Sequence, residues 1–189
     1  HPMVLRAVVA YVLRRGAAPL VADSPGMGSF ERLLREGGYA AALKGLDVEV
    51  RPFKESMSVD IGEPFGRIAI AREALAADAV INLPKLKTHA MMRLTLGVKN
   101  LFGCVIGLAK VQWHLRSGVN RHLFARLLVQ IYRAVNPAVT LVDGVLAMEG
   151  QGPGRSGTPR RLGLLVAGAG APAVDMAVCR LLQVPADLL

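Results

Sequence analysis

Strand-like apolar runs alternate with helix-patterned segments along this chain, and the alternation predicts an α/β fold. Several of the strand candidates are continuous apolar runs rather than in-and-out patterns, as strands buried on both faces are. The sheet is therefore expected to be largely parallel and flanked by helices, in the doubly wound, Rossmann-like manner. Hydrophobic residues make up 52% of the 189, enough for a proper core and too many for a disordered chain. One α/β domain over residues 1–189 is expected, with a faint seam near 83–85.

The elements follow in order. Met3–Arg15 carries apolar residues at helical spacing and ends at Gly16, a natural C-cap. Pro19–Asp23 is a short apolar run, read as a strand, and Ser24-Pro25-Gly26-Met27-Gly28 follows as a tight loop. Ser29 caps a helix through Arg35, which Gly37-Gly38 stops. Asp47–Pro52 alternates as a strand does, and Arg67–Ala71 reads as another short one. Ala71–Ala77 is helical, and Ala79–Leu83 is read as a buried strand. Residues 85–120 are punctuated by glycine and carry no clear period. His122–Ala134 is a helix, Val139–Val142 a strand ending at Asp143-Gly144, and Leu162–Ala167 another strand. Pro172–Leu182 is a helix with proline in its first turn. A helix at Met3 in such a fold normally follows a strand, and the chain opens at His1-Pro2 without an initiator Met. These two facts read as a fragment lacking its first strand and a continuation after Leu189, with self-association through the open sheet edge.

Charge locates the function. Between Ala79 and Val142 there is no Asp or Glu, yet the stretch holds nine Lys or Arg: Lys85, Lys87, Arg93, Lys99, Lys110, Arg116, Arg121, Arg126 and Arg133. The remaining 14 basic residues balance all 14 acidic ones, so the net charge of +9 comes from this central third. Charge placed so unevenly points to an anionic partner. Aromatics are only 5% of the chain and no nucleic-acid motif is present, which argues against nucleic acid. Apolar runs such as Leu162–Ala169 are too short to span a bilayer, so no membrane partner is expected. No secretory signal is visible, and Cys104 and Cys179 form no metal-ligand pattern. The expectation is a cytoplasmic protein without a metal site.

In a doubly wound sheet, ligands bind beyond the carboxyl ends of the strands. The loop at Ser24, Gly26 and Gly28 precedes a helix start, where amides and the helix dipole can cradle an anion. The alternative is an ordinary turn. Lys85, Lys87 and His89 fall on one side of an extended segment by alternation, a set suited to a multiply charged anion. A solvated basic loop is the plainer alternative. Lys99 and Asn100 sit in the apolar run Leu96–Cys104, and a lysine there is either a base or nucleophile of lowered pKa or a snorkelling surface charge. Cys104 is either a nucleophile or a small buried hydrophobe. The loop Gly150–Gly154, with Gly152 at its centre, reads as a flap or as a place of close backbone approach. Asp143, Glu149 and Asp175 are the acids expected to face the basic groups, to neutralise a lysine or hold a metal. Asp175 has helix-terminal capping as its alternative.

These blocks resemble the domain-of-unknown-function 362 family: His1-Pro2, Asp23-Ser24-Pro25-Gly26, Pro84–His89, Gly97–Cys104, Trp113-His114, Asp143-Gly144, Met148–Pro153 and Ala173-Val174-Asp175. The resemblance runs in order over nearly the whole chain. It implies a longer protein, often continuing into a ferredoxin-like module with cysteine-ligated iron–sulfur clusters. Two cysteines cannot supply four thiolates, so no cluster is expected within this chain, although one in the full-length protein, and a ferredoxin-like partner, are. The cofactor is otherwise unknown. The expected function is an enzyme domain acting on a small carboxylate- or phosphate-bearing substrate, redox-coupled in the full-length protein. Lys85 and Lys87 would clamp the anion, His89 or Lys99 would act as acid/base, Asn100 would orient, and Glu149 would arrive with the loop. The alternative is a non-catalytic docking module for an acidic electron-transfer partner.

Overall fold

The computed structural model describes residues 1–26, 28–117, 120–152 and 156–186. Helix α1 (Pro2–Arg14), strand β1 (Leu20–Asp23), helices α2 (Phe30–Glu36) and α3 (Tyr39–Leu43) and strand β2 (Glu49–Pro52) form the first group. Ser29 caps α2 as expected, its hydroxyl accepting the Arg32 N–H at 3.1 Å. β1 and β2 are parallel, from Leu20 opposite Glu49 to Asp23 opposite Pro52. Strands β3 (Ser56–Asp60) and β4 (Arg67–Ala71) make an antiparallel pair, followed by α4 (Arg72–Ala76).

The third sheet positions the site. It contains β5 (Ile81–Asn82), β6 (Lys85–His89), β7 (Arg93–Thr95), β8 (Val139–Gly150) and β9 (Gly157–Gly168). β5 and β6 run parallel to β8, whereas β7 is antiparallel to β6 and β9 antiparallel to β8. The fold is thus α/β, with parallel pairs where helices intervene, but the sheets are small and mixed rather than largely parallel. The strand expected at Val139–Val142 continues to Gly150, because β9 supplies partners from Thr140↔Gly168 to Gly150↔Gly157. The strand expected at Ala79–Leu83 shrinks to two residues. Pro84 has no N–H for the ladder, although its carbonyl accepts the Asp143 N–H at 2.9 Å. Of the expected Gly150–Gly154 loop, Pro153 and Gly154 lie outside the described residues, as does Met27 of the Ser24–Gly28 loop.

The stretch that resisted sequence reading becomes α5 (Gly97–Asn100), a 3₁₀ turn (Leu101–Cys104) and α6 (Leu108–Ser117), followed by α7 (Arg121–Val135). The last helix is α8 (Ala171–Leu182). Two apolar clusters hold these parts. One gathers Ile68, Ile70, Val98, Leu101 and Phe102 against Phe124, Leu127, Leu128 and Ile131 of α7. The other packs Leu86, Leu94, Leu96, Val142 and Ala147 against Val174 and Val178 of α8. Each fully buried side chain of this size is worth about 1.5–3 kcal/mol relative to exposure. Leu96 belongs to one cluster and Val98 to the other, so the start of α5 is clamped between them. The side chains of the next two residues, Lys99 and Asn100, are carried on that fixed turn.

Candidate functional site

β1 ends at Asp23, and β6, α5 and α6 bring lysines toward it. The Asp23 carboxylate accepts the Ser24 N–H at 2.7 Å, and Lys110 of α6 donates to the Ser24 carbonyl. Gly103 lies flush against the carboxylate: a Cβ there would come within 2.9 Å of Asp23 Oδ1. Lys87 of β6 and Lys110 both act electrostatically on Asp23. Lys99 of α5 in turn feels Lys87 and Lys110. Two half-buried ammonium groups, Lys87 and Lys110, therefore share one carboxylate, and a third, Lys99, stands beside them.

Burial and mutual repulsion shift these groups as expected for such a cluster. Burial raises Asp23 above the usual carboxylate range, opposed by the Ser24 N–H, Lys110 and Lys87. Burial also lowers Lys87 and Lys110, with Asp23 pulling each back up. Lys99 is pushed down to about 8, first by burial and then by Lys87 and Lys110. His114, one turn beyond Lys110 on the same face of α6, is lowered by burial, Lys99 and Lys110. Its ring packs against Phe102 and Phe124, with centroids 5.2 Å and 4.7 Å away.

His89 is held in one tautomer. Its Nδ1 accepts the N–H groups of Met91 and Met92, both at 3.2 Å, which leaves the hydrogen on Nε2. Burial, then Lys99, His114 and Lys87, push its pKa down to about 3, so the ring is a neutral hydrogen-bond donor at physiological pH. Cys104 is pushed up to about 12 by burial and by Asp23, against Lys110, and remains a thiol.

The other residues expected at the site have different partners. Lys85 is paired with Asp143 at 3.0 Å. Glu149 is exposed and pairs across the β8–β9 hairpin with Arg160 at 3.4 Å. Asn100 donates to Asn82 at 2.8 Å, and Asn82 donates to the Gly97 carbonyl at 2.9 Å and to Thr140 at 3.2 Å, so this network ties α5 to β5 and β8. Asp175 accepts the Gly97 N–H at 2.7 Å and the Val98 N–H at 2.9 Å, capping α5 rather than its own helix. Ser24 joins the cluster through its backbone, whereas Gly26 and Gly28 are exposed with no atom near an added Cβ. Gly152 is the place of close backbone approach: a Cβ there would fall 2.1 Å from the Thr88 carbonyl oxygen, and Thr88 donates to the Gly150 carbonyl at 2.9 Å.

Sequence reasoning missed Asp23, Lys110 and His114 as site groups. Asp23 stood at the head of a loop singled out for its amides. The four-residue spacing of Lys110 and His114 was the available signal, hidden because the helix around them was not recognised. Cys104 and Cys179 are both buried, each in a different apolar cluster. Among the described residues, no three or more His, Cys, Asp or Glu gather closely enough to hold a metal ion. No helix among them is long and apolar enough to cross a membrane.

The chain matches the model of a family described as a domain of unknown function (DUF362) over residues 1–180. A thylakoid-associated protein of Synechocystis is 39% identical over 183 residues, covering 97% of this chain and 57% of that protein. The chain thus spans little more than half the length of that curated relative.

Proposed function

This chain belongs to the DUF362 family, and within that family we propose that it is an enzyme domain binding a small carboxylate- or phosphate-bearing anion between Lys87, Lys99 and Lys110. The observation that carries the reading is the gathering of three half-buried ammonium groups, with Asp23 beside Lys87 and Lys110 and Asp175 in the crevice that Lys99 lines. Burying like charges together is costly, and a bound dianion would relieve that cost. Lys87 and Lys110 would hold the anion and the Nε2–H of His89 would donate to it. We assign the acid–base role to Lys99, whose pKa of about 8 lies near working pH. The parallel β1–β2 and β6–β8 pairs support reading these sheets as parts of a doubly wound arrangement. Redox coupling to an iron–sulfur module of a longer chain belongs to the same reading.

The test is calorimetric titration with malonate and with inorganic phosphate at low and raised salt. Lys87→Ala is expected to weaken binding about tenfold or more, the worth of one charge-assisted contact. Wild-type protein that binds neither anion would remove the proposal.

One observation favours the docking alternative. Leu108, Val111 and Leu115 of α6 are 78%, 53% and 74% exposed and lie on one face of the helix, beside exposed Arg116. The thylakoid association of the relative supports a place of action at a membrane-bound assembly as readily as one free in the cytoplasm. A triple Leu108/Val111/Leu115→Ser variant separates the readings. An enzyme site keeps its malonate affinity, whereas a docking face loses its acidic partner while the lysines remain intact.

A further inference from the structure

We propose that Lys99 condenses through Nζ with the carbonyl group of a small anion, such as a 2-oxo acid, to form an imine. This deepens the reading above by naming the substrate class and by giving Lys99 the part of nucleophile in place of acid–base group, and it rests on the anion site described there.

A lysine that adds to a carbonyl needs a free amine, a fixed stem and neighbours that hold the rest of the substrate. Lys99 shares the first property with Lys87 and differs from Lys85 and Lys110 in it; Asp23 pulls on Lys87, whereas Lys99 feels only the other ammonium groups. Lys85 is tied to Asp143 and Lys110 to the Ser24 carbonyl, whereas Lys99 donates no hydrogen bond and forms no ion pair among the described residues. The start of its helical turn is fixed by Asp175 on the Gly97 and Val98 amides and by Asn82 on the Gly97 carbonyl, and the Asn100 side chain donates to Asn82. It lines a narrow crevice walled by Met92, Leu94, Leu96, Val98 and Leu128, an apolar setting that favours the neutral amine.

The charged and titratable groups near Lys99 are the ammonium groups of Lys87 (β6) and Lys110 (α6), the imidazoles of His89 (β6) and His114 (α6), and Asp175 in the same crevice. Adjacent cations depress a lysine further, and they also give the substrate carboxylate its binding partners. With the pKa of Lys99 at about 8, its neutral fraction at pH 7 is roughly three hundredfold above that of an ordinary lysine.

The step balances without any redox partner. The Nζ lone pair adds to the carbonyl carbon, the C–N bond forms, and the oxygen takes a proton to give a carbinolamine. The C–O bond then breaks with a second proton, water leaves, and an imine remains. Asp23, its carboxyl raised by burial beside Lys87 and Lys110, is the acid of this cluster that would deliver and recover those protons.

The probes are glyoxylate, pyruvate and 2-oxoglutarate, each with cyanoborohydride to fix any imine, followed by peptide mapping. With at least one of them, wild-type protein is expected to carry its adduct on Lys99, at least tenfold ahead of the exposed Lys44 and Lys54. Malonate should suppress it. Lys99→Arg, confirmed folded by its melting curve, should lose it while Lys44 and Lys54 still react. An adduct spread evenly over Lys44, Lys54 and Lys99 would overturn the proposal. So would the absence of adduct, with all three probes, in protein that still binds malonate by calorimetry. If malonate fails to bind as well, the anion site itself is refuted and the imine with it.

Discussion

Lys99→Ala is expected to abolish anion binding while leaving the fold intact. Removing a charge-assisted donor from a desolvated site costs about 2–3 kcal/mol of binding, roughly thirty- to a hundredfold in Kd. Stability should not suffer, because the lost ammonium was already opposed by burial and by Lys87 and Lys110. The pH dependence supplies a second readout. A lysine lowered from 10.5 to about 8 binds its proton less well folded than unfolded, so stability rises with pH between those values. Lys87 and Lys110, lowered in the same direction, add to that rise. The alanine variant should therefore show a shallower increase in Tm from pH 8 upward. Arg133→Ala serves as the control. Arg133 is exposed on α7 with Gln130 as its partner at 3.3 Å, and its loss should change neither binding nor slope. Equal malonate affinities for the two variants would reduce Lys99 to ordinary surface charge.

Asp175→Ala should be the most destabilising single change near the site. It leaves the buried N–H groups of Gly97 and Val98 without their acceptor, at about 3 kcal/mol for the pair, a fall in Tm of roughly 6–12 °C. Because Asp175 holds the turn that carries Lys99, malonate affinity should fall with it. Asp175→Asn tests the charge alone. Burial raises the Asp175 carboxyl from 3.8 to about 6, against the two amide bonds. The folded state therefore binds that proton more tightly than the unfolded chain. Its contribution is complete below about pH 4 and is lost as pH rises through about 6. Melting curves of the wild type should decline across this window, and those of the asparagine variant should decline less. Asp23, raised in the same direction, supplies a remainder of the same sign. An unchanged slope in Asp175→Asn would show that Asp175 does not titrate there.

Much of the local structure could be read along the chain. Gly16 after an amphipathic run, Ser29 before one and Pro172 inside another mark helix ends by chemistry contained within a few residues, and α1, α2 and α8 lie there. The α/β class follows from the same alternation. The length of β8 could not be read, because Gly144 and Gly150 look like stops until β9 pairs with them. Nor could α5 and α6, whose period is broken by Gly103 and Gly107.

By itself the sequence determined where positive charge accumulates and that Lys87, His89 and Lys99 fall within an acid-free third of the chain, since composition and strand alternation are properties of the chain alone. Only the tertiary structure decided which of those charges are satisfied. Lys85 finds Asp143 58 residues away, Lys110 finds the Ser24 carbonyl 86 residues away, and Asp175 finds the Gly97 amide 78 residues away. Such pairings depend on how sheets and helices close in space, and spacing along a chain carries no information about them. Lys99 is singled out by the same closure: packing of α5 between two apolar clusters removes water from its amine and sets two other ammonium groups beside it.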